Sequence, residues 1–404
     1  MLLTRRAKLL DNPLIRQNAS LHQSGGVKSM ISKDKKTRAL ALLSGGLDST
    51  LAVKLMLDQG IDVEAVNFVS PFCLCRKGGC GALEVAKNLH IPLKTFNLGA
   101  EYLRIVRQPR FGYGKNMNPC VDCRIFMLKK AKKYARKIGA SFIFTGEVLD
   151  QRPMSQHGKT MGLIEEQAGL KGRILRPLSA KLLSPTEAEK KGLVKREMLL
   201  DIVGRSRKTQ IRLAKELKVT DYSCPGGGCL LTYKEFACKL RDVLKHCKRL
   251  SLRDVQLLKV GRHFRIGRNK IIVGRNEAEN SILRRLKTVN NYCFEAQDTG
   301  SPVTLLQGPK TKIAIEKAAE LTAYYSDGKQ GAVSVKFGRG QLDNSLRTRG
   351  LSQEEVNELR VTQWALSAKT VPIPFQEAFA KQTTQKDRLR NTLLLKTKKE
   401  SLKF

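Results

Sequence analysis

The stretch "NPCVDC", residues 118–123, sets Cys120 and Cys123 three positions apart, directly after Pro119 and ahead of a basic helical pattern. Such a pair can be a redox dithiol, half of a zinc site, part of an iron–sulfur site, or a reactive thiol with a neighbour. Positions i and i+3 share a helix face, and the positive end of a helix dipole is expected to lower both thiol pKa values. Other cysteines are candidates for the same work. "SCPGGGC" supplies Cys224 and Cys229 in a glycine-rich stretch, and "FCLCRKGGCG" supplies Cys73, Cys75 and Cys80. The latter set reads as a second metal site, a sulfur-receiving station, or small buried hydrophobes in a turn. Cys238, Cys247 and Cys293 are expected to be structural.

A second chemistry lies in "ALLSGGLDST", which places Ser44, Gly45, Gly46, Leu47, Asp48 and Ser49 between a strand pattern and a helix pattern. Glycines let the backbone approach a ligand, and N–H groups at a helix amino end point at anions. The serines add hydroxyl donors. Asp48 would repel a bare phosphate, so its presence implies Mg²⁺ between the two. The pattern is neither the Walker sequence nor the dinucleotide fingerprint.

The elements that must position these groups follow from periodicity. Strand patterns at 38–43, 63–69, 93–98 and 141–147 alternate with helical patterns at 49–59, 81–90 and 123–138. This alternation predicts an α/β fold with a doubly wound, mostly parallel sheet that binds ligands at the carboxyl ends of its strands. After about residue 235 the texture changes. A helix at 235–246, a hairpin of "RHFRI" and "KIIVGR" around Gly267, "PVTLLQG", a helix over 313–325 and "GAVSVKFG" predict a smaller α+β module. The expected division is a disordered leader over 1–37, a catalytic domain over 38–235, the smaller module over 236–337 and a basic extension over 338–404.

Composition narrows the partners. The 75 Lys and Arg against 36 Asp and Glu give a formal net charge of +39, so a polyanion is expected. The basic stretches at 129–137, 204–208 and 284–287 are candidate contacts. No apolar run approaches the ~18 residues of a membrane span. Ten cysteines without a secretory signal point to a reducing compartment, the cytoplasm. His157 and His263 read as a polar loop residue and a core or surface residue.

On these residues the chain resembles known families. "SGGLDS" resembles the SGGxDS loop of the PP-loop ATP pyrophosphatases, which cleave ATP between the α and β phosphates and adenylate an oxygen. "NPCVDC" resembles the NPC-x-x-C stretch of tRNA 2-thiouridylases. "TGEVLDQRPMSQ", residues 145–156, resembles the TGE-x-x-x-Q-x-x-SQ segment of tRNA 4-thiouridine synthases, departing at Asp150 and across 152–154. "GRSRKTQIRLAKEL" and "YSCPGGGCLLT" look like a thiolase-like subgroup, and "HFRIGRNKIIVGRNEAEN" with "AAELTAYYSDGKQGAVSVKF" resembles the RNA-binding module of NFACT ribosome-quality-control proteins. No THUMP domain of the 4-thiouridine synthases is visible, which leaves the tRNA position and the choice of 2- or 4-thiouridine open.

The resemblance implies an ATP-dependent tRNA thiolase that adenylates a uridine carbonyl oxygen and replaces it with sulfur from sulfide or a persulfide carrier. It implies Ser44–Ser49, Thr145 and Gly146 at the nucleotide, with Asp48, Cys120 and Cys224 as catalytic residues. Related thiolases hold a 4Fe-4S cluster with a CxxC pair and one distant cysteine, which implies Cys120 and Cys123 with Cys224 or Cys229 as ligands. A persulfide relay from Cys120 to Cys224 or Cys229 and a structural zinc stay open. So do a homodimer, an amide-forming PP-loop ligase and a non-catalytic ribosome-binding factor.

Overall fold

The structure is a computed structural model of the chain and describes residues 36–74, 81–220, 222, 228–328 and 331–361. The expected leader to residue 35, Cys75, Cys80, Cys224 and residues 362–404 lie outside the described residues.

Strand β1 (Arg38–Leu42) is buried at four of its five positions. Ala39 and Ala41 face one apolar layer while Leu40 and Leu42 face the other, as a strand covered on both faces requires. The first half continues through α1 (Leu47–Asp58), β2 (Asp62–Val69), α2 (Ala82–Asn88), β3 (Leu93–Asn97), α3 (Ala100–Arg107), α4 (Cys120–Ile138), β4 (Phe142–Thr145), α5 (Gly158–Ala168) and β5 (Ile174–Leu175). The sheet order is β3-β2-β1-β4-β5, and every pairing is parallel. Helices α1 and α2 cover one face, and α4 and α5 the other. This is the expected doubly wound sheet. The helix expected at 49–59 starts two residues earlier, because Thr50 N and Oγ1 both bond to the Gly46 carbonyl and close the first turn inside the loop.

After β5 come α6 (Glu187–Lys190), α7 (Lys208–Glu216), α8 (Lys234–His246) and α9 (Leu252–Leu258). A second sheet follows with β6 (Arg262–Ile266), β7 (Asn269–Val273), α10 (Glu277–Leu286), β8 (Tyr292–Ala296), β9 (Thr304–Gln307), α11 (Lys312–Tyr324), β10 (Val333–Gly338), β11 (Asn344–Thr348) and α12 (Gln353–Leu359). Its order is β11-β10-β8-β9-β7-β6 and its pairings are antiparallel. The hairpin expected around Gly267 is β6–β7, in register from Arg262 opposite Val273 to Ile266 opposite Asn269.

Two boundaries differ from the sequence expectation. Helix α8, expected in the smaller module, packs Phe236, Leu240 and Val243 against Phe72, Tyr102 and Leu103 of the first half. The second sheet runs past 337: β11 pairs with β10, and Val356 of α12 is fully buried in its core. The β11 sequence, "NSLRT", has one apolar residue and is held by main-chain pairing, so its pattern reads as extension rather than strand.

Candidate active site

Strand order reverses at β1, since β2 and β3 lie to one side and β4 and β5 to the other. A reversal of this kind opens a crevice at the carboxyl ends of the central strands. The loop after β1 carries residues 44–46, and the loop after β4 carries Gly146 and Glu147. They touch. A Cβ on Gly146 would lie 2.5 Å from Ser49 N and Cα, and one on Gly45, whose φ is +75°, would lie 2.3 Å from Ala82 N. Gly146→Ala must therefore push the β4 loop off α1. We expect it to destabilise the protein by about 1–3 kcal/mol, read as a lower denaturation midpoint at unchanged slope; a wild-type midpoint would contradict the close approach.

The phosphate loop is organised by its own hydroxyls. Ser44 Oγ lies 3.0 Å from Ser49 Oγ, Gly46 N donates to Ser44 Oγ at 3.4 Å, and Ser49 Oγ donates to Gly46 O at 2.9 Å. Asp48 sits in the first turn of α1. Gln151 Nε2 donates to its Oδ2 at 2.8 Å, and the Arg207 guanidinium lies 4.0 Å away. Its other oxygen, Oδ1, is buried without a hydrogen-bond partner among the described residues. A buried carboxylate oxygen with a free lone pair beside a phosphate loop suits a ligand of Mg²⁺.

Sequence reasoning missed the support behind Asp48. Gln210 of α7 is fully buried and donates through Nε2 to Gln151 Oε1 at 3.2 Å. That bond fixes the Gln151 amide with its nitrogen toward Asp48. The only sequence signal was a glutamine on the apolar side of the α7 pattern, one turn before Ala214.

Helix α4 precedes β4 and so runs antiparallel to it, which brings its amino end to the same sheet edge as the phosphate loop. It begins at Cys120 itself, so both thiols of the pair lie in its first turn. Asn118 Nδ2 donates to Cys120 Sγ at 3.0 Å and Tyr102 Oη to Cys123 Sγ at 3.2 Å. A segment around Cys229 is stitched on both sides. Leu230 N bonds Phe72 O and Leu74 N bonds Gly228 O, while Met117 N bonds Leu231 O. These bonds place Cys229 opposite Cys73 and beside the pair. Cys73, the described member of the set with Cys75 and Cys80, thus lies opposite Cys229.

The expected drop in thiol pKa does not occur. Burial pushes Cys120 up against the opposing pull of Arg124 and Arg152, Cys123 up to about 11, and Cys229 up to about 12. Loss of solvation outweighs the helix end. The expected ligand set is also only partly assembled: among the described residues no three metal-ligating side chains are close enough to hold an ion, and Cys224 lies outside them. The donor chemistry nonetheless fits a thiophilic metal centre, because the neighbouring thiols are sulfur ligands and Asn118 and Tyr102 supply the hydrogen bonds that orient such ligands.

A buried charge chain ties the loop after β4 to α4, α5 and the end of β5. Arg176, after β5, binds both Glu147 and Glu165, and Arg124 of α4 reaches Glu147 Oε1 at 3.3 Å. Despite full burial, Arg124 and Arg176 hold the Glu147 carboxyl below its usual value. Thr145 is buried with its hydroxyl on Glu147. Of the basic stretches, Arg205 and Lys208 are exposed on either side of Arg207, the residue that approaches Asp48, whereas Lys130 and Lys132 are engaged by Glu101 and the Gly169 carbonyl. His157 pairs with Asp150 at 2.6 Å, and His263 is core.

Residues 35–181 match the sequence family described as thiamine biosynthesis protein (ThiI), and residues 261–360 match the NFACT protein RNA binding domain. Residues 35–181 are a ThiI-type PP-loop domain. The tRNA-specific 2-thiouridylase MnmA of Syntrophotalea carbinolica is 35% identical over 124 residues, which cover 28% of this chain and 35% of that protein. A probable tRNA sulfurtransferase of Thermococcus kodakarensis is 31% identical over 150 residues, 35% of this chain and 36% of that protein. The chain thus spans about a third of the length of these curated relatives. Among solved structures, a 4-thiouridine synthetase–RNA complex with bound ATP is similar at 23% identity and a TM-score of 0.32, covering 55% of this chain and 52% of that one. The U34-tRNA thiolase NcsA of Methanococcus maripaludis with its 4Fe-4S cluster is similar at 17% identity and a TM-score of 0.29, covering 52% and 67%. The NFACT match ends at 360, beyond β11 and α12 of the second sheet.

Proposed function

We propose that the chain is an ATP-dependent tRNA sulfurtransferase that works in the cytoplasm. One observation carries this reading: the phosphate loop and the CxxC thiols open on the same sheet edge, and Arg152 interacts electrostatically with both Asp48 and Cys120. An amide-forming ligase would need the first site and not the second.

In this reading the Ser44–Ser49 loop receives the phosphates of ATP, and Asp48 would hold Mg²⁺ through Oδ1, which has no hydrogen-bond partner among the described residues. A uridine carbonyl oxygen attacks the α-phosphate, the bond to the β-phosphate breaks, and pyrophosphate leaves. The base is now joined to AMP, a far better leaving group than oxide; hydrosulfide displaces it directly, whereas a persulfide carrier displaces it to give a disulfide adduct, from which a second thiol takes the carrier's sulfur as a disulfide and leaves thiouridine. To reach the crevice the base must leave its stack, and the exposed Arg205 and Lys208, on either side of Arg207, would be available to its flanking phosphates. Cys120 and Cys123 with Cys229 or Cys224 would hold a 4Fe-4S cluster, which supplies an iron position able to bind sulfur. Several neighbouring thiols suit a metal centre better than a lone nucleophile.

Incubating the full chain with labelled ATP, Mg²⁺ and unmodified tRNA tests the first step. The expected result is AMP and pyrophosphate formed only when tRNA is present. Equal formation with a small carboxylic acid and ammonia in place of tRNA would favour a ligase instead.

A further inference from the structure

Where the two halves meet, α8 and α9 face β7 and β9 across an open cleft of about 220 Å³, whose walls include His246, Asp254, Arg265, Arg268, Lys270 and Gly308. Its charge is unbalanced. One carboxylate, Asp242, serves two cationic groups, Arg265 through Nε at 2.8 Å and Lys270 through Nζ at 3.8 Å, while His246 Nδ1 lies 2.8 Å from the Asp242 main-chain carbonyl. Asp254, the cap of α9, accepts from Ser251 N at 2.9 Å and Ser251 Oγ at 2.7 Å and also acts on Lys270, so two carboxylates face Arg265, Arg268 and Lys270. The Arg268 side chain is exposed and forms no ion pair among the described residues. Lys270 is the informative member, because a side chain only 7% exposed in mid-strand rarely carries an ammonium without full pairing. Gly308 keeps the floor open: its φ is +113°, and a Cβ there would lie 2.8 Å from Arg268 O.

We propose that this cleft binds a phosphate group of the RNA backbone, with Arg268 and Lys270 as its donors. The inference rests on the reading that the substrate is RNA. Guanidinium and ammonium donors around one point suit a phosphate, and the size selects among phosphate ligands. Sites for free small molecules enclose roughly 300–1,000 Å³, so this cleft fits a group that protrudes from a larger polyanion. Burial lowers the Lys270 ammonium to about 7 with Asp242 and Asp254 opposing, and an incoming phosphate acts in the same sense as these carboxylates. The position gives the contact a use. Arg107 NH1 of α3 donates to the Cys247 carbonyl at 2.9 Å on the cleft wall, and α3 also carries Tyr102, the donor to Cys123. A phosphate held here is registered against the frame that holds the thiols.

The test is the affinity of the full chain for a tRNA transcript, measured by fluorescence anisotropy across a salt series, with inorganic phosphate followed in parallel by ³¹P line broadening. Arg268→Gln is expected to weaken tRNA binding several-fold and to reduce the slope of log K against log salt by about one. It should also remove the phosphate broadening. Lys94→Gln, an equal charge loss on the exposed edge of β3, should leave all three readings unchanged, and Lys270→Met should follow Arg268→Gln if its melting curve stays cooperative. Wild-type affinity, slope and broadening in Arg268→Gln would overturn the proposal. Broadening that depends on Arg268 in a protein that ignores tRNA would keep the phosphate site and remove the RNA reading.

Discussion

Asp48→Ala is expected to cut tRNA-dependent pyrophosphate release by about 10²–10³-fold, the usual loss when one preorganised electrostatic contact to a reacting group is removed. Binding of tRNA should change little, because Asp48 lies in the phosphate loop and carries the opposite charge to the RNA contacts. The geometry makes the prediction sharper than a simple charge deletion. Asp48 Oδ2 is occupied by Gln151 and Oδ1 is not, so the oxygen that matters is the one left free. Gln210→Ala, which releases Gln151 without touching the loop, should raise the Mg²⁺ concentration needed for half-maximal rate while leaving the rate at saturating Mg²⁺ nearer to wild type. If Asp48→Ala keeps its pyrophosphate release, or if Gln210→Ala lowers the rate equally at all Mg²⁺ concentrations, Asp48 is not the cation's ligand.

Cys123→Ser is expected to abolish retention of iron and acid-labile sulfide after anaerobic reconstitution of the full chain, whereas Cys238→Ser should retain both. Cys123 is in the first turn of α4 with Tyr102 donating to it and Cys229 as neighbour, while Cys238 is a buried residue of α8, 2% exposed. Both replacements are small and neither removes a charge, so folding differences stay modest and can be checked by melting curves. Iron content in Cys123→Ser equal to that of wild type would remove this pair from the cluster and return the persulfide relay to first place. The comparison does not depend on catalysis, so a failed thiolation assay would not obscure it.

Much of the catalytic half was legible because its signals are local. The run "RALAL" followed by two glycines and a serine–aspartate pair fixes a buried strand, a tight loop and a helix start within a dozen residues. What escaped was non-local. Nothing near Gln210 in the chain shows that it will meet Gln151, and nothing near Cys229 shows that it will lie opposite Cys73. The direction of the thiol shifts was misread for the same reason. A helix end is visible in the sequence, but the desolvation that outweighs it comes from the packing of α3, α8 and the 228–232 segment. At the other end, β11 was invisible because a strand held by main-chain bonds needs few apolar residues.

The most direct measurement of the central claim is nucleoside analysis by mass spectrometry of an unmodified tRNA after anaerobic incubation with the iron- and sulfide-reconstituted full chain, ATP, Mg²⁺ and sulfide. The account predicts thiouridine in the complete reaction and none when ATP is omitted or Asp48 is replaced. Unmodified uridine throughout, with the tRNA bound and ATP intact, would contradict it and favour a non-catalytic RNA-binding role.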